Sequence, residues 1–438
     1  MEKNIFIFDY NKCVGCHACV VACMNENGFQ SPFQWRNIHQ SDKYHYPQLP
    51  FFYLSLACNH CDDAPCLKNC PANAYSRDEK TGAVIHHPEK CIGCQYCTWA
   101  CPYDAPKFDP KEGIIEKCTF CNHRIEENLK PACANLCPTG ALDFSLVEFS
   151  RQESLKSSPV PVDVGSKLKT KPLNNISGPE MDMDLFSHQV KPKREKKVKS
   201  KISAITEWPL IIFTLLSAGL VGTYSSGIIQ IFTTFEIHIF FGVAIIAAAL
   251  SMLHLGKKIR AWRSLINLKN SWLSREILFF TLFIAALGID FYVFDIPGIV
   301  VSAIGLLLLF SIDMLYRLAT WKWPAKIHSA QALLIGITVF ALLANQPEIF
   351  YMIIFFRLLL YLYRKIKYHR IIHLASFFRI ALAISSMILL SNDFPMYFIL
   401  ISLALSELID RIEFYNELRV PEPRKNPEPD TKSRDLLL

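Results

Sequence analysis

All sixteen cysteines of this 438-residue chain fall between Cys13 and Cys137. They form four sets of four: Cys13, Cys16, Cys19, Cys23; Cys58, Cys61, Cys66, Cys70; Cys91, Cys94, Cys97, Cys101; and Cys118, Cys121, Cys133, Cys137. The first and third sets run C-x2-C-x2-C-x3-C. The second carries four residues between Cys61 and Cys66, and the fourth eleven between Cys121 and Cys133. Three sets end in proline, at Pro71, Pro102 and Pro138. This is the ligand spacing of paired iron–sulfur clusters. Three cysteines close in sequence wrap a loop around one cubane, and small residues such as Gly15 and Gly93 let the backbone approach it. The fourth cysteine, three residues on, is expected to begin a short helix that leads to a different cluster, so ligation is crossed. Structural zinc also uses C-x2-C pairs, but not four tetrads with C-x3-C-P endings. Disulfides require an oxidising compartment, to which nothing in the chain points.

The runs Cys58-Asn59-His60-Cys61 to Cys66, Cys91-Ile92-Gly93-Cys94-Gln95-Tyr96-Cys97 to Pro102-Tyr103, and Lys117-Cys118-Thr119-Phe120-Cys121 resemble the four-cluster electron-transfer subunit of the dimethyl sulfoxide reductase family of molybdoenzymes. The resemblance covers about the first 150 residues. It implies one cluster on Cys13, Cys16, Cys19 and Cys137, and its pair-mate on Cys118, Cys121, Cys133 and Cys23. It places the other two on Cys58, Cys61, Cys66 with Cys101, and on Cys91, Cys94, Cys97 with Cys70. Some relatives carry Trp at the third position of the third set and hold a three-iron cluster there; Cys97 implies four [4Fe–4S] clusters instead. Where the family has Cys-Pro-Thr-Gly-Ala, the second set reads Cys70-Pro71-Ala72-Asn73-Ala74, which changes the surroundings of a cluster and not its ligands.

The composition changes after Phe149. Residues 150–205 are rich in Ser, Pro and Lys without apolar periodicity, which predicts a disordered basic linker. Its basic run, Lys191 to Lys201, stands just before an apolar stretch and is read as juxtamembrane charge rather than a nucleic-acid contact. Residues 206–415 read as a membrane domain of eight spans, near Pro209–Ile229, Ile237–Leu255, Glu276–Phe294, Ile296–Leu315, Ser329–Asn345, Ile349–Tyr363, His373–Leu390 and Pro395–Ile412. The sixth is short and charged, which leaves seven spans as an alternative. A disordered tail is expected over 416–438. The fold class is thus an α+β double ferredoxin-like iron–sulfur domain (1–149) followed by an all-α bundle of transmembrane helices.

Alternate loops are basic. Lys257, Lys258, Arg260, Arg263, Lys269 and Arg275 follow span two; Arg317, Lys322 and Lys326 follow span four; Arg364, Lys365, Lys367 and Arg370 follow span six. The opposite loops hold only Glu236, Asp295, Glu348 and Asp393. Positive charge stays inside, so both termini and the cluster domain are expected on the cytoplasmic side of a bacterial-type inner membrane. The short stretch before Cys13, with no Arg-Arg pair, agrees with a domain that is not exported on a leader of its own. Relatives of the family also occur on the outer face, carried by a partner's leader.

The membrane half resembles the eight-span anchor subunit of the same enzymes through Glu207-Trp208-Pro209-Leu210, His254-Leu255-Gly256, Trp272-Leu273-Ser274-Arg275-Glu276, Asp313-Met314-Leu315-Tyr316-Arg317 and Arg411-Ile412-Glu413-Phe414-Tyr415. Anchor and cluster protein, normally separate chains, are here fused. The resemblance implies a haem-free domain that exchanges electrons with menaquinone or ubiquinone from the membrane pool. It also implies a separate catalytic subunit carrying a molybdenum (or tungsten) bis-pterin cofactor. A quinone site needs donors to its carbonyls and a group that titrates near neutrality. His254 with Arg260, Arg275 and Glu276 is the expected site. The alternative is an interfacial His254, with arginines that only orient the helix. Haem would need paired histidines at matched depth, and His238, His254, His328 and His373 are not so arranged. Arg357 and Arg379 lie within spans and need partners, with Asp313, Glu407 and Asp410 as candidates for Arg357. No nucleotide-binding glycine loop or nucleophile triad is present, so the chain reads as a non-catalytic wire with a quinone port. A redox-linked proton-translocating module and a docking anchor without quinone chemistry are the other readings.

Overall fold

The computed structural model describes residues 2–29, 34–40, 53–159, 163–171, 202–317, 327–367 and 374–418. Most of the expected linker, the loop charges Lys322, Lys326 and Arg370, His373, and the tail from 419 lie outside the described residues. The chain divides near residue 200 into two compact units.

The N-terminal unit is built from short elements. In chain order they are β1 (Glu2–Asp9), α1 (Ala18–Asn27), β2 (Asn37–Gln40), β3 (Tyr53–Leu56), α2 (Pro65–Lys68), β4 (Tyr75–Arg77), β5 (Val84–His86), α3 (Tyr96–Ala100), β6 (Lys107–Asp109), β7 (Ile114–Glu116), α4 (Asn122–Glu126), α5 (Ala132–Asn135), β8 (Leu142–Glu148), α6 (Arg151–Ser157) and β9 (Leu168–Lys171). β1 is the centre of a three-stranded sheet in the order β8-β1-β9. Its residues Ile5, Phe6 and Phe8 are buried on both faces, as the apolar run Ile5-Phe6-Ile7-Phe8 requires of a central strand. β8 runs antiparallel to it, from Glu2 opposite Glu148 to Phe8 opposite Leu142. That pairing draws the start of the unit onto its end. β2–β3, β4–β5 and β6–β7 are antiparallel hairpin pairs. Phe6, Phe120 and Phe144 meet edge to face at 5.1–5.5 Å in the core beneath.

Two expectations change. The short helix of each set begins around the third cysteine, not at the fourth: Cys66, Cys97 and Cys133 lie in α2, α3 and α5, with Cys70, Cys101 and Cys137 just past their ends. A three-residue spacer is one helical turn, so the turn lies between the two ligands. The linker expected from residue 150 also starts later. Ser150 caps α6 in a capping box, accepting from Glu153 N at 3.2 Å while its own N–H donates to Glu153 Oε2 at 2.9 Å. β9 then pairs parallel to β1, Phe6 to Leu168 through Asp9 to Lys171. Absence of apolar periodicity misleads here because the segment is held by its backbone: Asp62 N donates to Gly165 O at 2.8 Å and Lys167 N to Asn59 O at 3.0 Å.

The C-terminal unit holds, among the described residues, eight α-helices in the stretches expected to span: α7 (Trp208–Ser225), α8 (Thr234–Leu253), α9 (Trp272–Tyr292), α10 (Gly298–Tyr316), α11 (Ala332–Leu343), α12 (Pro347–Lys367), α13 (Leu374–Ser391) and α14 (Met396–Glu417). Five of them, α7, α8, α9, α10 and α13, are long and apolar enough to cross a membrane. α11 is apolar but has only twelve residues. α12 and α14 carry several charges each. α7 packs against α8, α10, α11 and α14. At its crossing with α11, a Cβ on Gly222 would lie 2.6 Å from Gly336 O and 2.8 Å from Val339 Cβ. The absence of a side chain lets the two backbones approach, as small residues do between helices in lipid.

Candidate functional site

The four cysteine loops share one backbone turn. The residue before each second cysteine is left-handed: Gly15 (φ 69°), His60 (φ 44°), Gly93 (φ 72°) and Phe120 (φ 69°). This conformation turns a backbone N–H toward the first sulfur of the set. Gly93 N donates to Cys91 Sγ and Phe120 N to Cys118 Sγ, each at 3.4 Å. Glycine fits this turn without strain. At Gly15 there is also no room for a Cβ, which would lie 2.6 Å from the Tyr53 ring. His60 and Phe120 bear the cost of a left-handed non-glycine. Their rings stack on each other at 4.1 Å, which pins both loops together.

Three cysteines of one set meet the fourth of another. Cys13, Cys16 and Cys19 enclose a cavity with Cys137. Cys91, Cys94 and Cys97 enclose another with Cys70. Cys61 lies within electrostatic reach of Cys58, Cys66 and Cys101, and Cys118 of Cys23, Cys121 and Cys133, with Cys58 also in range. The topology explains the exchange. β1 ends just before Cys13 and β8 begins just after Cys137, so their pairing sets the two side by side. The β4–β5 hairpin folds Cys91 back onto Cys70. Backbone donors reach the exchanged sulfurs too, Ala74 N to Cys70 Sγ and Leu142 N to Cys137 Sγ, both at 3.3 Å.

The quartets suit a cluster better than a single ion. In two of the quartets the sulfurs stand around a cavity. Burial pushes the Cys23 thiol up to about 12, against the pull of Arg36. Such thiols ionise when a metal centre supplies the compensating charge. The residues therefore fit iron–sulfur clusters, whose chemistry is the reversible uptake of one electron each.

In the C-terminal unit the expected quinone residues face different ways. His254 caps the C-terminus of α8, and its Nδ1 has no partner among the described residues. Arg260 lies in a 3-10 segment, Lys258–Leu265. Arg275 folds back onto that connection, donating to Leu268 O at 2.9 Å and Lys269 O at 2.6 Å, and stacks over Trp272 at 4.2 Å. Glu276, buried, turns into the bundle within electrostatic reach of Arg411 on α14.

The charges inside the helices are paired. Arg357 bonds to Glu407 and donates to Ser329 O at 3.0 and 2.9 Å. Of its three candidate partners the structure selects Glu407. Asp313 instead caps α11, accepting from Ala332 N at 2.7 Å and Leu333 N at 3.0 Å. Asp410 accepts from Arg364 at 2.8 Å and Arg379 at 3.1 Å. Lys365 meets Glu413 at 3.0 Å and Glu417 at 2.5 Å. Four cations on α12 and α13 thus face four carboxylates on α14.

Arg364 and Lys365, expected in the basic loop after the sixth span, are instead buried in α12, where α14 carboxylates draw them in. Sequence reasoning also misses two further buried arginines. Arg411 stands out only within a family motif; it packs on Tyr316 and Phe414, each at 5.7 Å, and its guanidinium nitrogens have no hydrogen-bond partner among the described residues. Arg36 stands in no motif and lies, fully buried, within electrostatic reach of Cys19, Cys23, Cys118 and Cys133. Nothing in a lone arginine beside a tryptophan marks it as interior.

Comparison with known proteins divides the chain as its two units do. Residues 49–147 match the 4Fe-4S dicluster domain, and residues 202–409 match the DMSO reductase anchor subunit (DmsC). An anaerobic dimethyl sulfoxide reductase chain of Haemophilus influenzae is 36% identical over 178 residues, covering 37% of this protein and 86% of the relative. Its counterpart in Escherichia coli K12, also an anaerobic dimethyl sulfoxide reductase chain, is 37% identical over 156 residues, 34% of this protein and 76% of the relative. A sulfite dehydrogenase subunit of Allochromatium vinosum is 33% identical over 165 residues, 33% of this protein and 69% of the relative.

Proposed function

Because this chain belongs to the dimethyl sulfoxide reductase family of iron–sulfur subunits, and continues into an anchor domain, we propose that it carries electrons between a membrane quinone and a separate catalytic subunit. The observation that supports this most is the three-plus-one meeting of the cysteines in the N-terminal unit, on a chain whose other half is a membrane anchor. In this reading two ferredoxin-like halves hold four [4Fe–4S] clusters: on Cys13, Cys16, Cys19, Cys137; on Cys118, Cys121, Cys133, Cys23; on Cys58, Cys61, Cys66, Cys101; and on Cys91, Cys94, Cys97, Cys70. The left-handed loop residues aim N–H groups at the sulfurs, and the aromatic core around Phe120 excludes water.

The eight helices cross the inner membrane eight times with the cluster domain in the cytoplasm, as the basic connection after α8 favours. Menaquinone or ubiquinone is met at the end of α8. There His254 offers an unpartnered ring nitrogen that can hold or pass a proton; Arg260 lies on the connection that follows, and Arg275 and Glu276 near the start of α9. The catalytic subunit carries a molybdenum or tungsten bis-pterin cofactor and acts on an S-oxide or N-oxide, or on sulfite as the Allochromatium relative's name suggests for that protein. Fusion of carrier and anchor keeps the two at a high effective concentration.

The proton-pump reading is favoured less, because the deep charges pair with one another. The test is purification of the native protein from its own membranes. About sixteen irons per chain, molybdenum or tungsten, one large co-purifying subunit, and bleaching of the clusters by added quinol are expected. Iron without molybdenum or tungsten and without a large partner refutes the reading. Bleaching that survives loss of His254 and Glu276 (His254→Gln, Glu276→Gln), with unchanged sensitivity to quinone analogues, moves the quinone site elsewhere.

A further inference from the structure

Arg36 is a cation sealed inside the iron–sulfur unit, 2% exposed. It is held at one end only. Nη1 donates to Ser55 Oγ at 3.0 Å, and that hydroxyl lies 3.3 Å from Cys19 Sγ. The guanidinium carbon sits 4.8 Å from the centre of the Phe6 ring. Its Nε and Nη2 are buried and find no acceptor among the described residues. Lys117, another buried cation near the cysteines, differs: its Nζ is bonded to the carbonyls of Val84 and Cys118. A buried donor left without an acceptor is costly, more so when charged. The chemistry around Arg36 names the acceptor. Its electrostatic neighbours are Cys133, Cys19, Cys118 and Cys23, which belong to the two quartets drawn together by the β1–β8 pairing.

The geometry points to Arg36 as the residue that sets the reduction potential of one cluster pair, the pair held by Cys13, Cys16, Cys19, Cys137 and by Cys118, Cys121, Cys133, Cys23. A cubane on four thiolates is an anion and becomes more negative when it takes an electron. A permanent cation beside it, in a low-dielectric interior, favours the reduced form more than the oxidised one. Donors aimed at cluster sulfur act in the same direction, since hydrogen bonds and net charge are among the terms that fix such potentials. The Ser55 hydroxyl fixes the guanidinium relative to Cys19, so position as well as charge is defined. The other pair, on Cys58, Cys61, Cys66, Cys101 and Cys91, Cys94, Cys97, Cys70, has lysines within electrostatic reach instead, Lys117 of Cys66 and Lys167 of Cys61, each bonded to backbone carbonyls. The two pairs thereby differ in the cation beside them, an arginine with unbonded donors for one and carbonyl-bonded lysines for the other.

This inference rests on the proposed cluster assignment, and the test separates the two. The full chain with its native partner, in membranes, is titrated potentiometrically and followed by EPR, comparing native protein with Arg36→Gln and Arg36→Lys at equal iron content. Arg36→Gln is expected to move two of the four midpoints to lower potential and leave two in place; Arg36→Lys, keeping the charge, moves them less. Four unchanged midpoints with full iron overturn the inference and leave Arg36 as packing on Phe6. Should Arg36→Gln lose iron, native protein grown on 15N-labelled arginine decides: nitrogen hyperfine coupling to a reduced cluster supports the assignment, and its absence overturns it. Native protein without cluster signals refutes the cluster assignment itself, and this inference with it.

Discussion

Arg357 and Glu407 offer a test of what the buried charges do. The two side chains are 1% and 4% exposed and bond to each other. Their remaining bonds are unequal. Arg357 keeps two donations to Ser329 O, at 3.0 and 2.9 Å, and one to Thr338 Oγ1 at 3.2 Å. Among the described residues Glu407 bonds to Arg357 alone. Arg357→Leu therefore strands a carboxylate with nothing to replace its partner, at a cost of about 3–5 kcal/mol. Glu407→Leu removes one charge-assisted bond while the guanidinium keeps its other acceptors, costing roughly 1.5–3 kcal/mol. The double variant leaves no unpaired charge, only the Ser329 carbonyl, and is expected about 1–3 kcal/mol below native. The double-mutant cycle should show a coupling of at least about 1.5 kcal/mol. SDS-driven unfolding of the full chain in mixed micelles, followed by helical circular dichroism, measures all four corners. Equal costs for the two single variants, or a double variant that equals their sum, would refute the reasoning.

Four further outcomes are expected. Gly15→Ala forces a left-handed alanine, at about 1–2 kcal/mol, with its Cβ 2.6 Å from the Tyr53 ring; iron content should fall by one cluster's share while the other quartets fill. Gly222→Leu drives α7 away from α11 against Gly336 O, and the amount of folded protein in the membrane should drop by the roughly 1–3 kcal/mol or more of an overpacked contact. Leu168→Asp, at a position only 2% exposed, places an unpaired charge under β9, and protease should then cut after residue 150 where the native chain resists. Removing iron with a chelator should unfold the N-terminal unit, whose buried thiols lose their compensating charge, while the helical signal of the anchor unit persists.

The cysteines are legible because ligand spacing is local: each loop announces itself within its own short stretch. The helices of the anchor are legible for the same reason, since apolar length is a property of a single stretch. What the sequence conceals is pairing at a distance. The choice of Glu407 over Asp313 for Arg357 depends on how α12 meets α14. β9 reads as linker because an edge strand held by backbone bonds needs no apolar alternation. Arg36 is invisible because its burial depends on Ser55, Phe6 and sulfurs drawn from residues as far along as Cys133. The low apolarity of α12 and α14 also has its explanation in pairing: the charges that lower it neutralise one another across the helices.

The β1–β8 pairing fixes an order of manufacture. The chain leaves the ribosome from its N-terminus, and domains close as their last element emerges. The quartets of Cys58, Cys61, Cys66, Cys101 and Cys91, Cys94, Cys97, Cys70 are complete once residue 101 is made. The other two wait for Cys133 and Cys137, and the sheet that seats Cys137 beside Cys13 waits for β8, ending at Glu148. On the proposed assignment, the two middle quartets can therefore be complete before the outer two, and the first three cysteines translated wait longest for their fourth partner.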